Sequence, residues 1–213
     1  MSLLRRHSRQ TTIVDCLSPR LLILLYLLIS ALPLFLAYNQ GLPLRAFPNE
    51  FATSFGLIGF TWILLSFLLS GRFRTISGKI GIDKTMRWHQ LMAIVIGVLI
   101  LIHPYLYTLP INQTVPWDAT RELSLELSMT GLITGMIAWV LLPVLILTAI
   151  FRDQISYPYE RWRLFHGIAA MVIVIASMLH VLELGRYSND LLMKLIWFAL
   201  IAIASLTLLR SYL

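Results

Sequence analysis

The chain has 213 residues, 58% of them hydrophobic and only 13% charged, with a mean hydropathy of +0.80. Such a balance excludes an ordinary soluble domain and indicates an integral membrane protein. The net charge of +7 is dispersed between apolar segments, which speaks for membrane topology and against nucleic acid, while the lone Cys16 excludes an internal disulfide, a cysteine-based zinc site and a thiolate-held iron–sulfur cluster.

Runs of about 20 apolar residues predict six spans, at about 20–38, 52–70, 87–107, 127–150, 164–184 and 191–210. The expected class is all-α: an integral membrane six-helix bundle (residues 20–213) preceded by a polar segment (1–19). Span one follows Arg5 and Arg6, as a leader peptide would. Its apolar run is too long for a signal h-region and no small-x-small site follows, so it is read as a retained helix. Pro33 and Pro143 fall inside spans one and four, where a kink is tolerated.

Between spans two and three lies GRFRTISGKIGIDKTMRW, the most basic connection, and between three and four the acidic, Pro-containing LPINQTVPWDATRELSLE. With the N-terminus placed inside, 13 of the 17 Lys and Arg residues fall on the inner side, leaving Arg45, Arg121, Arg186 and Lys194 outside. That asymmetry predicts both termini in the cytoplasm, with spans three and five running from inside to outside. The expected location is a cell membrane, of the bacterial inner-membrane kind. Nothing in the chain resembles a Gly-rich phosphate loop or a strand–helix alternation, so any flavin or nicotinamide site is expected on another chain or on a part of the protein outside this sequence.

Four of the five histidines form two pairs with one interval, His89 with His103 and His166 with His180. Fourteen helical residues fall about 40° short of four full turns and climb roughly 21 Å. Each pair therefore shares a face, one imidazole near each membrane surface. Ionisable side chains inside a bilayer are costly and usually functional. Paired across helices three and five, the four rings make two bis-imidazole sites suited to two b-type haems, with His89 and His166 at the inner site and His103 and His180 at the outer. No single metal ion bridges a vertical separation of that size. Arg87 and Arg163 are candidate partners for haem propionates, as more weakly are Arg121 and Arg186. Each arginine also has a reading as a topological anchor only, which weighs as much as propionate contact for Arg87 and Arg163 and more for Arg121 and Arg186. No catalytic acid or base is expected, and His7 in the polar tail is assigned no role.

RWHQLMAIVIGVLILIHPYLY and YERWRLFHGIAAMVIVIASMLHVLELG resemble helices three and five of the ferric reductase-like transmembrane domain family. Its members include NADPH oxidases, transmembrane ferric reductases and the haem subunit of the bacterial methionine-sulfoxide reductase system. The resemblance covers the whole chain by topology and these two helices by motif. It implies ligation of two b haems by His89, His103, His166 and His180. It also implies electron flow from a cytoplasmic reduced flavin (FAD or FMN, fed by NAD(P)H) to an acceptor outside: dioxygen, ferric iron or a periplasmic protein. In that reading the chain is the membrane haem part of an oxidoreductase. Two alternatives stay open on the residues alone: a quinone-linked respiratory cytochrome b subunit, and a haem-free membrane protein whose histidines pack or titrate. The first places its histidine pairs on helices two and four rather than three and five.

Overall fold

The computed structural model describes residues 18–70, 77–78, 80–107, 128–154 and 156–212. Its helices are α1 (Pro19–Asn39), α2 (Phe47–Leu69), α3 (Ile82–Leu106), α4 (Met129–Ile150), α5 (Tyr159–Leu184) and α6 (Leu191–Tyr212), with a short 3-10 turn at Arg152–Gln154. All six are long and apolar enough to cross a membrane, and the chain is a multi-pass membrane protein.

Local chemistry sets the helix ends. Ser18 caps α1 by accepting from the Leu21 N–H, with Pro19 in the first turn; Ser128 caps α4 through the Gly131 N–H at 2.9 Å. The Asp190 carboxylate accepts from the Leu192 and Met193 N–H groups at the start of α6. Each satisfies donors that a helix start leaves unpaired. Gly81, at φ +94°, turns the chain into α3 in a conformation that only glycine adopts without strain.

The six predicted spans coincide with the six helices, but α2, α3 and α5 each begin five residues earlier than their apolar runs. The added turns hold Glu50, Asp83 and Glu160, acidic residues that favour the positive end of a helix. Hydropathy reads where lipid begins, and the hydrogen-bonded helix extends beyond it.

Within the lipid-spanning segments, hydroxyls are satisfied at home. Ser30, Thr61, Ser66 and Thr207 all donate to a carbonyl three or four residues back, because hydrocarbon offers no partner.

Helix α2 is the most buried of the six and touches α1, α3, α5 and α6, while α4 lies mainly on α5. The core centres on Phe60 and Leu64 of α2, Ile96 of α3, Ile173 and Val174 of α5, and Met193 and Trp197 of α6. Phe60 and Trp197 rings meet at 5.0 Å. Leu27, Phe35, Met136 and Phe198 stay exposed; on six spans that surface faces lipid. Helices α3 and α5, the two histidine carriers, do not pack closely on one another. They flank a seam instead.

Candidate functional site

The four histidines line that seam at two levels, all half-buried. At one level the His103 and His180 ring centres stand 6.4 Å apart with planes at 82°. At the other, His89 and His166 lie within electrostatic reach of each other. Ile96 and Ile173, midway along each interval, are almost completely buried and fill the space between levels.

Three of the four imidazoles are held through Nδ1. His103 Nδ1 donates to the Ala52 carbonyl at 2.7 Å and His89 Nδ1 to the Ser66 carbonyl at 3.1 Å. His180 Nδ1 donates to the Gly131 carbonyl at 2.9 Å. A carbonyl oxygen only accepts, so each Nδ1 carries the proton and Nε2 keeps its lone pair. Backbone-anchored imidazoles of this kind are the usual state of a metal ligand. The two acceptors on α2, Ala52 and Ser66, are themselves 14 residues apart, so the interval of α3 is repeated on its neighbour. His166 differs: its Nδ1 is buried without a hydrogen-bond partner among the described residues, and its ring lies 5.1 Å from that of Trp162. On antiparallel α4 the same interval leads from Gly131 to Leu145, whose carbonyl accepts instead from the Thr148 hydroxyl at 2.8 Å.

Two glycines make room for the rings. A Cβ at Gly135 would lie 2.3 Å from His180 Nδ1, and one at Gly56 would lie 3.0 Å from His103 Cε1. Among the described residues no group of three or more His, Cys, Asp or Glu side chains gathers to hold a bare metal ion. The donors come strictly in twos. Two imidazoles bound to one metal from opposite sides, at about 2.0–2.1 Å each, have ring centres about 6 Å apart. His103 and His180 stand at that spacing.

Beside the His103 level sits a polar network that sequence reasoning missed. Arg45 pairs with Glu50 at 3.0 Å, its side chain only 5% exposed, and also donates to the Thr53 hydroxyl. Thr53 shares a 2.8 Å hydrogen bond with Tyr107, whose ring packs edge-on to His103 at 5.3 Å. Tyr187 donates to the other Glu50 oxygen at 2.9 Å, and Gln40 Nε2 donates to the Tyr187 carbonyl at 2.8 Å. Burial and the Glu50 hydrogen bond push the Tyr187 phenol above its ordinary range. One signal lay in the sequence: Gly131-x-x-x-Gly135 in an apolar stretch marks close helix approach. Arg45, read as a stray outer charge, gave none.

The candidate arginines scatter. Arg87 is exposed on α3, two residues before His89. Arg163 donates to the Ser211 carbonyl, faces Glu160 at 3.5 Å and lies 4.5 Å over the Tyr212 ring, which ties α5 to the end of α6. Arg186 donates to the Pro43 carbonyl at 2.8 Å, linking two connecting segments. Arg121 and His7 lie outside the described residues.

The model of one protein family, described as "Ferric reductase like transmembrane component", matches residues 55–177. The chain belongs to that family. The match takes in His89, His103 and His166, and His180 follows just beyond its end. A protein of Archaeoglobus fulgidus described as uncharacterized is 30% identical over 159 residues, covering 73% of this chain and 86% of that protein. No solved structure matches the chain. The family suggests transmembrane electron transfer, and it implies the membrane component of an oxidoreductase.

Proposed function

We propose that the chain carries electrons across the membrane through two bis-histidine b-type haems, one held by His89 and His166, the other by His103 and His180. The observation that carries this reading is the set of four imidazoles at two levels of one seam, three of them with Nδ1 anchored to a backbone carbonyl. Two donors per site suit a metal that brings its other ligands in a macrocycle. Gly56 and Gly135 leave room beside two of the rings, and α3 and α5 do not pack closely on one another. The unpartnered Nδ1 of His166 is consistent with a ligand placed by its helix alone.

Bound there, haem supplies a one-electron ferric/ferrous couple. The chain's own groups do the rest. The backbone carbonyls of Ala52, Ser66 and Gly131 fix ring orientation and keep Nε2 unprotonated. Ile96 and Ile173 exclude water between the levels. Arg87 and Arg163 are the cations proposed for the propionates near the His89 level; Arg163 already donates to Ser211 and Glu160, which leaves Arg87 the more available. Electrons enter at the cytoplasmic, basic end from a reduced flavin on a partner chain or domain that uses NAD(P)H. They leave at the His103 level toward dioxygen, ferric iron or a periplasmic protein.

The test is a reduced-minus-oxidised spectrum of the purified protein with a haem-to-protein ratio. Two low-spin b haems per chain are expected. His103→Ala and His180→Ala should each leave one, still reducible from the basic end, and His89→Ala or His166→Ala should stop reduction from that end. A protein without haem after reconstitution would falsify the reading.

A further inference from the structure

The flank of α4 and α5 carries a cavity of about 560 Å³ beside the first turns of α5, with Arg161 in its lining. It has two chemistries. Leu164, Phe165 and Ile168 form an apolar wall, all three exposed on the lipid-facing side. Thr148, Tyr157, Arg161 and Trp162 supply the polar remainder.

The polar end is short of acceptors. Arg152 holds its guanidinium 5.5 Å from the Trp162 ring and 5.6 Å from the Tyr159 ring, so a second cation is fixed beside the one that lines the cavity. Arg152 Nε and Trp162 Nε1 are both buried donors without a hydrogen-bond partner among the described residues. The first turn of α5 opens here as well; Pro158 caps it with no side-chain hydrogen bond, and the exposed Glu160 in that turn offsets part of the positive end of this 26-residue helix. The acidic neighbours are Asp153 and Glu160, both exposed, and Glu160 faces Arg163.

We infer that this groove binds an anionic phospholipid. The phosphodiester is held by Arg161, Arg152 and Trp162 Nε1, and an acyl chain lies along Leu164, Phe165 and Ile168. Charge decides between lipid classes. A quinone offers two neutral carbonyls and a zwitterionic lipid brings its own cation, whereas two guanidiniums and a free N–H complement a net negative headgroup. The inference depends on the bilayer alone and is independent of haem binding. It has one link to the seam, since Trp162 touches the bound headgroup on one side and the His166 ring on the other.

The experiment is native mass spectrometry of the full chain reconstituted with phosphatidylglycerol or phosphatidylcholine of identical acyl chains. Wild-type protein should retain one phosphatidylglycerol through delipidation, with at least a tenfold preference over phosphatidylcholine. An Arg152→Gln/Arg161→Gln variant of unchanged helical content should lose that preference. In the wild type, phosphatidylglycerol brominated on its acyl chains should quench tryptophan fluorescence more than its phosphatidylcholine counterpart, and Trp162→Phe should abolish the difference. Equal retention of both lipids, displacement of phosphatidylglycerol by a quinone, or equal quenching by the two brominated lipids overturns the inference.

Discussion

The two histidine pairs occupy equivalent positions on α3 and α5, yet their surroundings are unequal. At the His103–His180 level both Nδ1 groups donate to carbonyls, both rings rest against a glycine, and the buried Arg45 side chain pairs with a half-buried Glu50 alongside. At the His89–His166 level only His89 is anchored, and His166 leans on Trp162. Identical spacing on the carriers therefore gives unequal surroundings, because the carbonyls that hold the rings come from α2 and α4. Neighbouring helices, through their carbonyls and missing side chains, decide how firmly each ring is held.

The largest effect that would break this comparison is expected at Gly135. A Cβ there falls 2.3 Å from His180 Nδ1 and 2.7 Å from Cε1, so Gly135→Ala must turn the ring out of the seam. On the two-haem proposal, haem content should fall by half, with the remaining signal that of the His89–His166 site. Gly97→Ala is the control: its Cβ meets only the Ile146 Cδ1, at 2.9 Å, the far end of a flexible side chain. Equal haem loss in both variants would show that the glycines serve helix packing rather than the ring.

Next in size is Arg45. Arg45→Ala leaves the half-buried Glu50 carboxylate without its cation, a loss of about 2 kcal/mol, the worth of a hydrogen bond to a charged group. The thermal midpoint should drop, and the spectrum of the His103–His180 haem should shift while the other stays fixed. Replacing both partners with apolar residues of similar volume should recover most of the loss. No recovery would mean that Thr53 and Tyr187 depend on the charges themselves.

A smaller effect sharpens the contrast at the other level. A hydrogen-bond partner on the far nitrogen of a ligating imidazole typically matters by about 10–100-fold in metal affinity, and His166 Nδ1 has none among the described residues. In the reduced protein carbon monoxide should displace His166 at least tenfold more readily than His103 or His180. Carbon monoxide appearing first at the His103–His180 haem would reverse the ranking of the two sites.

The sequence made legible what depends on periodicity. Six apolar runs gave six helices, and a repeated 14-residue interval placed four imidazoles on one seam, because helical phase is a local property. The acceptors for those imidazoles were not legible. Ala52, Ser66 and Gly131 contribute backbone oxygens, which every residue has, so side-chain identity carries no mark of the role. Arg45 was hidden for a related reason: it sits in a short connecting segment, and only the packing of α2 against α3 and of the α5–α6 connection brings Thr53, Tyr107 and Tyr187 around it. Hydropathy also placed three helix starts five residues late, since it reports the lipid boundary and not the last hydrogen bond.

The smallest expected effect tests whether the network beside His103 acts as one unit. Tyr187 lies between α5 and α6, where burial and the hydrogen bond to Glu50 hold its phenol above its ordinary range. A group whose pKa is raised on folding contributes stability below its unfolded value, about 10 for tyrosine, and loses that contribution as pH rises through the folded value. Tyr187→Phe should therefore lower stability by about 1 kcal/mol at neutral pH, the usual worth of one hydrogen bond. The gap between variant and wild type should stay constant to about pH 10 and close above it. Thermal midpoints measured from pH 7 to 11 would show this directly. No gap at any pH would mean that the ring, which phenylalanine keeps, holds the α5–α6 connection by packing, with the phenol hydrogen bond to Glu50 contributing nothing, and that the two levels differ only in how their histidines are anchored.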